Sequence, residues 1–377
     1  NEALIETVGT AIDDKYTDMV AGLSLSNAGK TELDIVFTAL HGTSIVSVPP
    51  ALAKAGFTKV QLVEAQSAPD GNFPTVASPN PEESAALAMA VAQAEATGAD
   101  LVIGCDPDTD RVGIAANDGT GKMQLLNGND TAALLVHYIL NAYKKNGTLP
   151  SNGFTAATVV TTDLIADISA AYGVPCYRCL TGFKWIADII NHKPEEQFLV
   201  GGEESYGYLI GDAVRDKDAV ASAVMIAEMA ANAKAQGRTV LQQLEAIHRE
   251  FGQYQERLIS ITKKGRSGAQ EIADMMTALR NDPPKTLAGS SVVIAIDHNN
   301  STQTDLRTGA TSSTALPASN VLQFITEAGD KVSARPSGTE PKIKFYFSVR
   351  ATTGHSHAAT KAELERKIDT FIEELNL

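Results

Sequence analysis

An α/β fold, with two successive mixed-sheet α/β/α domains followed by a smaller α+β domain, is what this sequence predicts. Three observations carry the prediction. The chain has 377 residues, too many for one ordinary core and enough for two or three domains. From Leu33 to about residue 250, short apolar runs of strand length alternate with helix-length segments, the βαβ order of a mainly parallel sheet covered by helices. Beyond that point the alternation stops, and strand-like segments surround a stretch rich in Ser and Thr.

The elements follow in order. Leu4, Ile5, Val8, Ile12, Tyr16, Met19 and Val20 recur near a helical period, and the polar run Ser24 to Thr31 reads as a linker. Ile35 to Phe37 predicts a strand, His41-Gly42-Thr43-Ser44 a turn into a helix, and Val60 to Val63 the next strand. Glu82 to Thr97 reads as a helix and Leu101 to Ile103 as a buried strand. The layout then repeats without any residue-level period. Helices are expected at Asn129 to Tyr143, Leu164 to Tyr172, Trp185 to Asn191 and Lys217 to Ala235, with strands at Ala157 to Thr161 and Phe198 to Val200. Strands at Arg257 to Thr262, Val292 to Asp297, Val321 to Ile325 and Lys342 to Val349 surround a turn region, Asn299 to Ser319. A last helix, Thr360 to Leu375, stacks Leu364, Ile368, Phe371, Ile372 and Leu375 on one face. The expected divisions are 1–30, 31–127, 128–250 and 251–377.

Composition narrows the function. Acidic residues number 45 against 31 basic, for a net charge of −14, which argues against nucleic acid or an anionic membrane surface as a partner. Any phosphate must be bound by local groups. The most apolar stretch, Asp218 to Gly237, is interrupted by Asp, Glu and Lys, so no membrane span is expected. Cys105, Cys176 and Cys179 cannot build a disulfide framework and fit a reducing cytoplasm. No signal or transit pattern is recognised, and the opening Asn1-Glu2-Ala3 without Met is expected of a processed or truncated product.

Three loops carry chemistry. Asp106-Pro107-Asp108-Thr109-Asp110-Arg111 follows a predicted buried strand and places carboxylates at i, i+2 and i+4. If the loop curls, all three can converge on one hard cation, Mg²⁺ above all in a phosphate enzyme. An EF-hand is excluded, because Arg111 and Asn117 stand where Gly and Glu are required. The dehalogenase-type phosphatase loop nearly fits, with Asp106 as nucleophile, and a solvated acidic turn is the bland alternative. Gly201-Gly202-Glu203-Glu204-Ser205-Tyr206-Gly207 also follows a predicted strand. One carboxylate plus a hydroxyl on a glycine-permissive turn suits vicinal sugar hydroxyls, although an ordinary strand-to-helix turn has the same composition. Arg335-Pro336-Ser337-Gly338-Thr339-Glu340-Pro341-Lys342 concentrates anion donors in an acidic chain and reads as a phosphate cradle.

Other residues are weaker candidates. Lys184, beside Trp185, opens a predicted helix where an anion is favoured. Cys176 and Cys179 have no second cysteine pair and read as packing. His41, in a turn after a strand, reads as a support for site residues or as structural rather than as catalytic, His137 as structural, and Ser78, in Ala77-Ser78-Pro79-Asn80-Pro81, as part of a proline-rich turn.

Metal, carboxylate-hydroxyl and phosphate loops in this order resemble the α-D-phosphohexomutase superfamily, the phosphoglucomutases and phosphomannomutases, from about Leu33 to the C-terminus. Thr38 to Thr43, Pro69 to Pro74 and Thr181 to Trp185 add to the likeness, which is greatest with bacterial phosphoglucomutases of the branch that includes phosphopentomutase-type enzymes. The resemblance implies that Asp106, Asp108 and Asp110 hold Mg²⁺ and that Arg111 faces an active-site phosphoserine. It implies that Glu203 and Ser205 bind sugar hydroxyls, that Lys184 contacts the substrate or assists proton transfer, and that Arg335, Ser337, Gly338 and Thr339 clamp the phosphate not being transferred. Glucose 1,6-bisphosphate is the implied intermediate. The family's Ser-His-Asn-Pro loop is not found, so a fragment lacking the phosphoserine domain is expected, with 1–30 as its helical connector. The implied parent activity is interconversion of glucose 1-phosphate and glucose 6-phosphate; the alternatives are a non-catalytic sugar-phosphate-binding protein, phosphomannomutase or phosphopentomutase specificity, and the dehalogenase-type phosphatase.

Overall fold

The computed structural model describes residues 2–6, 8–263, 265–338, 340–351 and 356–377. The chain forms two compact units, Asn1–Ile247 and His248–Leu377.

The first unit holds two mixed sheets. Helix α1 (Thr10–Ala21) precedes β1 (Ile35–Thr38), α2 (Val48–Lys54), β2 (Val60–Leu62), α3 (Ser84–Thr97), β3 (Leu101–Cys105), β4 (Val112–Asn117) and β5 (Met123–Leu126). The strand order is β2-β1-β3-β4-β5; the first three strands are parallel, while β4 and β5 join as antiparallel hairpins. All of β1 and β3 is buried, which explains why both read as uninterrupted apolar runs. After α4 (Gly128–Asn146), a second sheet is built from β6 (Gly153–Thr158), α5 (Leu164–Ala171), β7 (Cys176–Cys179), α6 (Lys184–His192), β8 (Gln197–Gly202) and β9 (Tyr208–Ile210). Its order is β7-β6-β8-β9, again parallel except for the last strand. Helix α7 (Ala219–Ala235) is buried along nearly its whole length, and α8 (Val240–Phe251) carries the chain into the second unit.

That unit is one antiparallel sheet with two helices. Its elements are β10 (Gln253–Thr262), α9 (Arg266–Asn281), β11 (Thr286–Leu287), β12 (Ser290–Asp297), β13 (Thr302–Asp305), β14 (Thr311–Ser313), β15 (Leu322–Thr326), β16 (Lys331–Pro336), β17 (Lys342–Ala351) and α10 (His357–Glu374). The order is β10-β17-β16-β15-β12-β13-β14, with β11 on β12. Ile272 and Met276 of α9 share a core with Leu364, Ile368 and Phe371 of α10 and with Phe324, Phe345 and Phe347 of the sheet.

Several local expectations are corrected. The opening helix starts at Thr10 rather than Leu4, because Gly9 turns the backbone to φ +73°. The strand expected at Ala157 to Thr161 is Gly153–Thr158. Val159-Val160-Thr161 has strand composition, yet Thr161 N–H donates to Thr158 O at 3.2 Å and the two hydroxyls pair at 2.8 Å, closing a turn. The Ser/Thr-rich turn region contains the antiparallel pair β13–β14. Helices α8 and α9 were not anticipated, although Val240, Leu244 and Ile247, and Ile272 and Met276, line up on their buried faces. Among the described residues no helix is long and apolar enough to cross a membrane.

The run from Ser24 to Thr31 is no loose linker. Lys30 is 3% exposed and forms a 2.8 Å ion pair with Glu228, which is wholly buried on α7. Glu228 also accepts from Leu25 N (2.8 Å), Ser26 N (3.1 Å), the Ser24 hydroxyl and Tyr138 OH (2.8 Å). Lys30 donates further to Ala55 O at 3.0 Å. A buried pair is tolerable only with such saturation, and removing one partner strands the other. Glu228→Ala is therefore expected to cost about 3–5 kcal/mol in urea denaturation, and joint replacement of Lys30 and Glu228 by Met recovers only the part due to the stranded ammonium, because the Ser24, Leu25, Ser26 and Tyr138 donors stay without their acceptor. A single-variant cost below about 1 kcal/mol would contradict the assignment.

Candidate functional site

The site begins where β3 ends. Parallel strands buried on both faces present their carboxyl ends to ligands, and Asp106 is the first residue beyond this one. Its side chain, in an 8% exposed residue, bends the chain back on itself: Oδ1 accepts from Asp110 N at 3.0 Å and Arg111 N at 2.9 Å. Thr109 takes φ +65° and its N–H donates to Asp106 O at 3.1 Å. The loop is thus curled, which is the condition on which convergence of the three carboxylates depends. Ligand oxygens of Asp106, Asp108 and Asp110 all lie within 4.8 Å of one another. Three carboxylates that can each offer one oxygen within this span are a donor set suited to a hard divalent cation, so the residues fit Mg²⁺.

The loop is braced from the β1 side. Thr43 N–H and Oγ1 donate to Pro107 O at 2.9 and 3.0 Å. Gly42 is required there, because a Cβ would sit 2.4 Å from Pro107 Cα. Both ring nitrogens of His41 have partners, Nδ1 3.2 Å from Ala68 O and Nε2 2.8 Å from Thr75 Oγ1.

Electrostatics follow from the crowding. Burial, reinforced by the charges of Asp110 and Asp108, raises the Asp106 carboxyl to about 7 against the two backbone donors that favour its ionised form. Arg111 Nε lies 3.6 Å from Asp110 and 3.9 Å from Asp106, while its NH1 is 3.0 Å from Glu82. Lys217 Nζ is 2.5 Å from Asp110 Oδ2. The sequence reading missed both Glu82 and Lys217, although Lys217 immediately precedes Asp218, a strong helix-capping residue.

The second loop joins β8 to β9. Glu203 N donates to Gly207 O at 2.9 Å and Tyr206 takes φ +65°, so the turn is tight. The buried Glu203 accepts from Gly182 N at 2.8 Å, linking it to the segment that opens α6. Glu204 instead receives the Thr161 hydroxyl at 3.2 Å, so the adjacent carboxylates have different partners. Ser205 is half-buried between them and Gly207. Lys184 is exposed, its Nζ 5.0 Å from the Trp185 ring centroid. The two loops are tied through neighbouring elements: Val112 N at the start of β4 donates to Tyr206 O of the carboxylate turn at 3.0 Å, and Ala219 N at the start of α7 donates to Thr109 O of the aspartate loop at 3.2 Å.

The third loop, Arg335 to Lys342, belongs to the second unit. It joins β16 to β17, where Ser337 N donates to Lys342 O at 2.7 Å and Glu340 N to the Ser337 hydroxyl at 3.2 Å. Arg335 stands opposite Lys344 in the ladder, and Ser337 and Gly338 line a cavity of about 470 Å³ against α9. Thr339 lies outside the described residues. The remaining candidates behave as packing: Cys176 and Cys179 are free thiols, with Cys179 pushed up to about 12 by burial. His137 meets Tyr172 edge-on, and burial lowers it to about 4. Ser78 donates to Glu83 at 2.8 Å.

Two family descriptions match this chain: phosphoglucomutase/phosphomannomutase alpha/beta/alpha domain II over residues 14–119, and domain III over residues 127–251. The chain belongs to the phosphoglucomutase/phosphomannomutase family. A phosphoglucomutase of Staphylococcus epidermidis is 37% identical over 349 residues, an alignment covering 92% of this chain and 63% of that protein. A phosphoglucomutase/phosphomannomutase family protein of Burkholderia thailandensis shares the fold, with a TM-score of 0.65 at 17% identity over 97% of this chain and 65% of that one. Aspergillus fumigatus N-acetylphosphoglucosamine mutase aligns more loosely. Its complex with glucose 1,6-bisphosphate gives a TM-score of 0.53 at 11% identity, covering 96% of this chain and 65% of that one. Its complex with GlcNAc-6P and magnesium gives 0.51 at 11%, covering 95% and 66%.

The raised Asp106 carboxyl sets a pH dependence. Without metal, the folded chain holds this proton up to about pH 7, against about 3.9 for an unfolded Asp. The stabilising contribution is complete below about pH 4 and lost as pH rises through about 7. In EDTA, wild type minus Asp106→Asn is expected to lose melting temperature between pH 5 and 8, and Mg²⁺ is expected to bind more tightly at pH 8 than at pH 6. A flat difference with pH-independent Mg²⁺ binding would contradict this assignment.

Proposed function

We propose that this chain carries the metal, sugar and phosphate loops of a Mg²⁺-dependent phosphoglucomutase. The parent enzyme interconverts glucose 1-phosphate and glucose 6-phosphate in the cytoplasm through a phosphoserine and glucose 1,6-bisphosphate, and the serine lies outside this chain. The convergence of Asp106, Asp108 and Asp110 beside the Glu203–Gly207 turn carries the reading. The named phosphoglucomutase relative supports it.

Phosphoryl transfer asks a protein mainly for alignment and charge neutralisation. Bound Mg²⁺ supplies Lewis-acid neutralisation of phosphoryl oxygen charge. Arg111 adds a fixed positive group beside it, held by Glu82. Glu203, oriented by the Gly182 N–H, accepts hydrogen bonds from vicinal sugar hydroxyls, and Ser205 adds a second polar contact. Lys184 contacts the sugar or its leaving oxygen from the start of α6. Arg335, with Ser337, Gly338 and Thr339, holds the phosphate that is not transferred, so either end of the bisphosphorylated sugar can be presented in turn.

Calorimetric titration with glucose 1,6-bisphosphate and Mg²⁺ tests this. Saturable binding by wild type, weakened at least about tenfold in Arg335→Ala, is expected for the loss of a charge-assisted clamp. A chain starting at Asn1 is expected to show no mutase turnover alone. Equal binding by the variant would contradict the clamp, and turnover by the chain alone would contradict the external serine.

A further inference from the structure

Lys217 is the charged group at the acidic triad that the proposed reaction leaves without a task. Its surroundings are unusual for a surface lysine. The side chain is 17% exposed and its only ion pair among the described residues is the 2.5 Å contact to Asp110 Oδ2. Its backbone is held in place by its neighbours. Asp218 N donates to Tyr208 O at 2.9 Å, and Asp218 Oδ1 accepts from Val220 N, Ala221 N and Tyr16 OH. Ala219 N bonds Thr109 O inside the metal loop. Any movement of the ammonium is therefore a movement of the flexible stem alone.

That stem runs over the carboxylate-hydroxyl turn. A Cβ on Gly207 would lie 2.4 Å from Lys217 Cδ and 2.8 Å from Cγ. Glycine keeps this crossing open. Lys217 thus touches the sugar-side turn with its methylenes and the metal-side loop with its charge.

We propose that Lys217 is a metal-responsive positioning residue: its ammonium holds Asp110 until a divalent ion takes that carboxylate, and is then released toward the Glu203–Gly207 turn. The inference rests on the metal-site reading above. When all three carboxylates are ionised they leave one net negative charge with Arg111 and Lys217, so the ammonium offsets repulsion that a dication would otherwise relieve. A dication competes for Asp110 Oδ2 and repels the nearby ammonium. Arg111 is held by Glu82 as well as by the triad; the unbranched lysine stem, with rotatable donors, is the group able to yield. Metal loading would thereby deliver a cation to the loop expected to receive a phosphosugar.

Mn²⁺ titration calorimetry of wild type, Lys217→Met, Lys217→Arg and Asp108→Asn decides the matter. Lys217→Met is expected to bind Mn²⁺ about tenfold more tightly, because no ion pair has to be broken. Its melting temperature should fall without metal and gain more on adding Mn²⁺ than that of wild type, while Lys217→Arg keeps the weaker wild-type affinity. A merely structural lysine predicts the opposite sign, since its loss would loosen the loop. If Lys217→Met does not fold, Lys217→Gln is measured instead. Equal or weaker binding by the folded variant overturns the inference. Wild type indistinguishable from Asp108→Asn overturns the metal-site reading, and this inference with it.

Discussion

The hydrogen bonds at the N-terminus of α7 are the constraint on which the first unit's chemistry depends. Asp218 caps the helix, binds the Tyr16 hydroxyl of α1 and, through its backbone N–H, the first residue of β9. The next residue bonds the metal loop through Thr109 O. Two separate sheets, each with its own crossover helices, are thereby made to present β3 and β8 at one place. A cap is normally worth about 1 kcal/mol of helix stability; here the same contacts also fix the position of Asp110 relative to Glu203.

The far part of the same helix is anchored by charge. Glu228 is saturated by backbone, hydroxyl and ammonium donors, which fixes the segment leading into β1. With α7 tied at both positions, the loops can carry crowded like charges without drifting apart. That crowding has an electrostatic consequence: a buried Asp106 raised to about 7 is costly as a bare anion, and a proton or a dication would each relieve it. With an overall charge of −14, the phosphate binding proposed above depends on cations placed locally, at Arg111 and Lys184 in the first unit and at Arg335 in the second.

Much of this was legible in sequence because it is local. The spacing of Asp106, Asp108 and Asp110 after a buried strand allowed their convergence provided the loop curls, and the glycines flanking Glu203 marked its turn. What stayed hidden depends on contacts distant in the chain. Lys30 reads as one more polar residue in a linker, yet it is buried because Glu228, nearly two hundred positions later, accepts its charge. Lys217 and Glu82 gave no signal by themselves, since only the folded loops place them beside Asp110 and Arg111. Val159 to Thr161 misled by composition, since β-branched residues favour strands whereas the Thr158–Thr161 hydroxyl pair favours a turn.

The central claim is that one metal centre, formed by three carboxylates of one loop, lies beside the carboxylate-hydroxyl turn. Anomalous diffraction from crystals of this chain soaked in Mn²⁺ tests it most directly. The account predicts a strong peak bonded to Asp106, Asp108 and Asp110 together, with the Lys217 ammonium withdrawn from Asp110. A peak elsewhere, or none in crystals that diffract well, would contradict it.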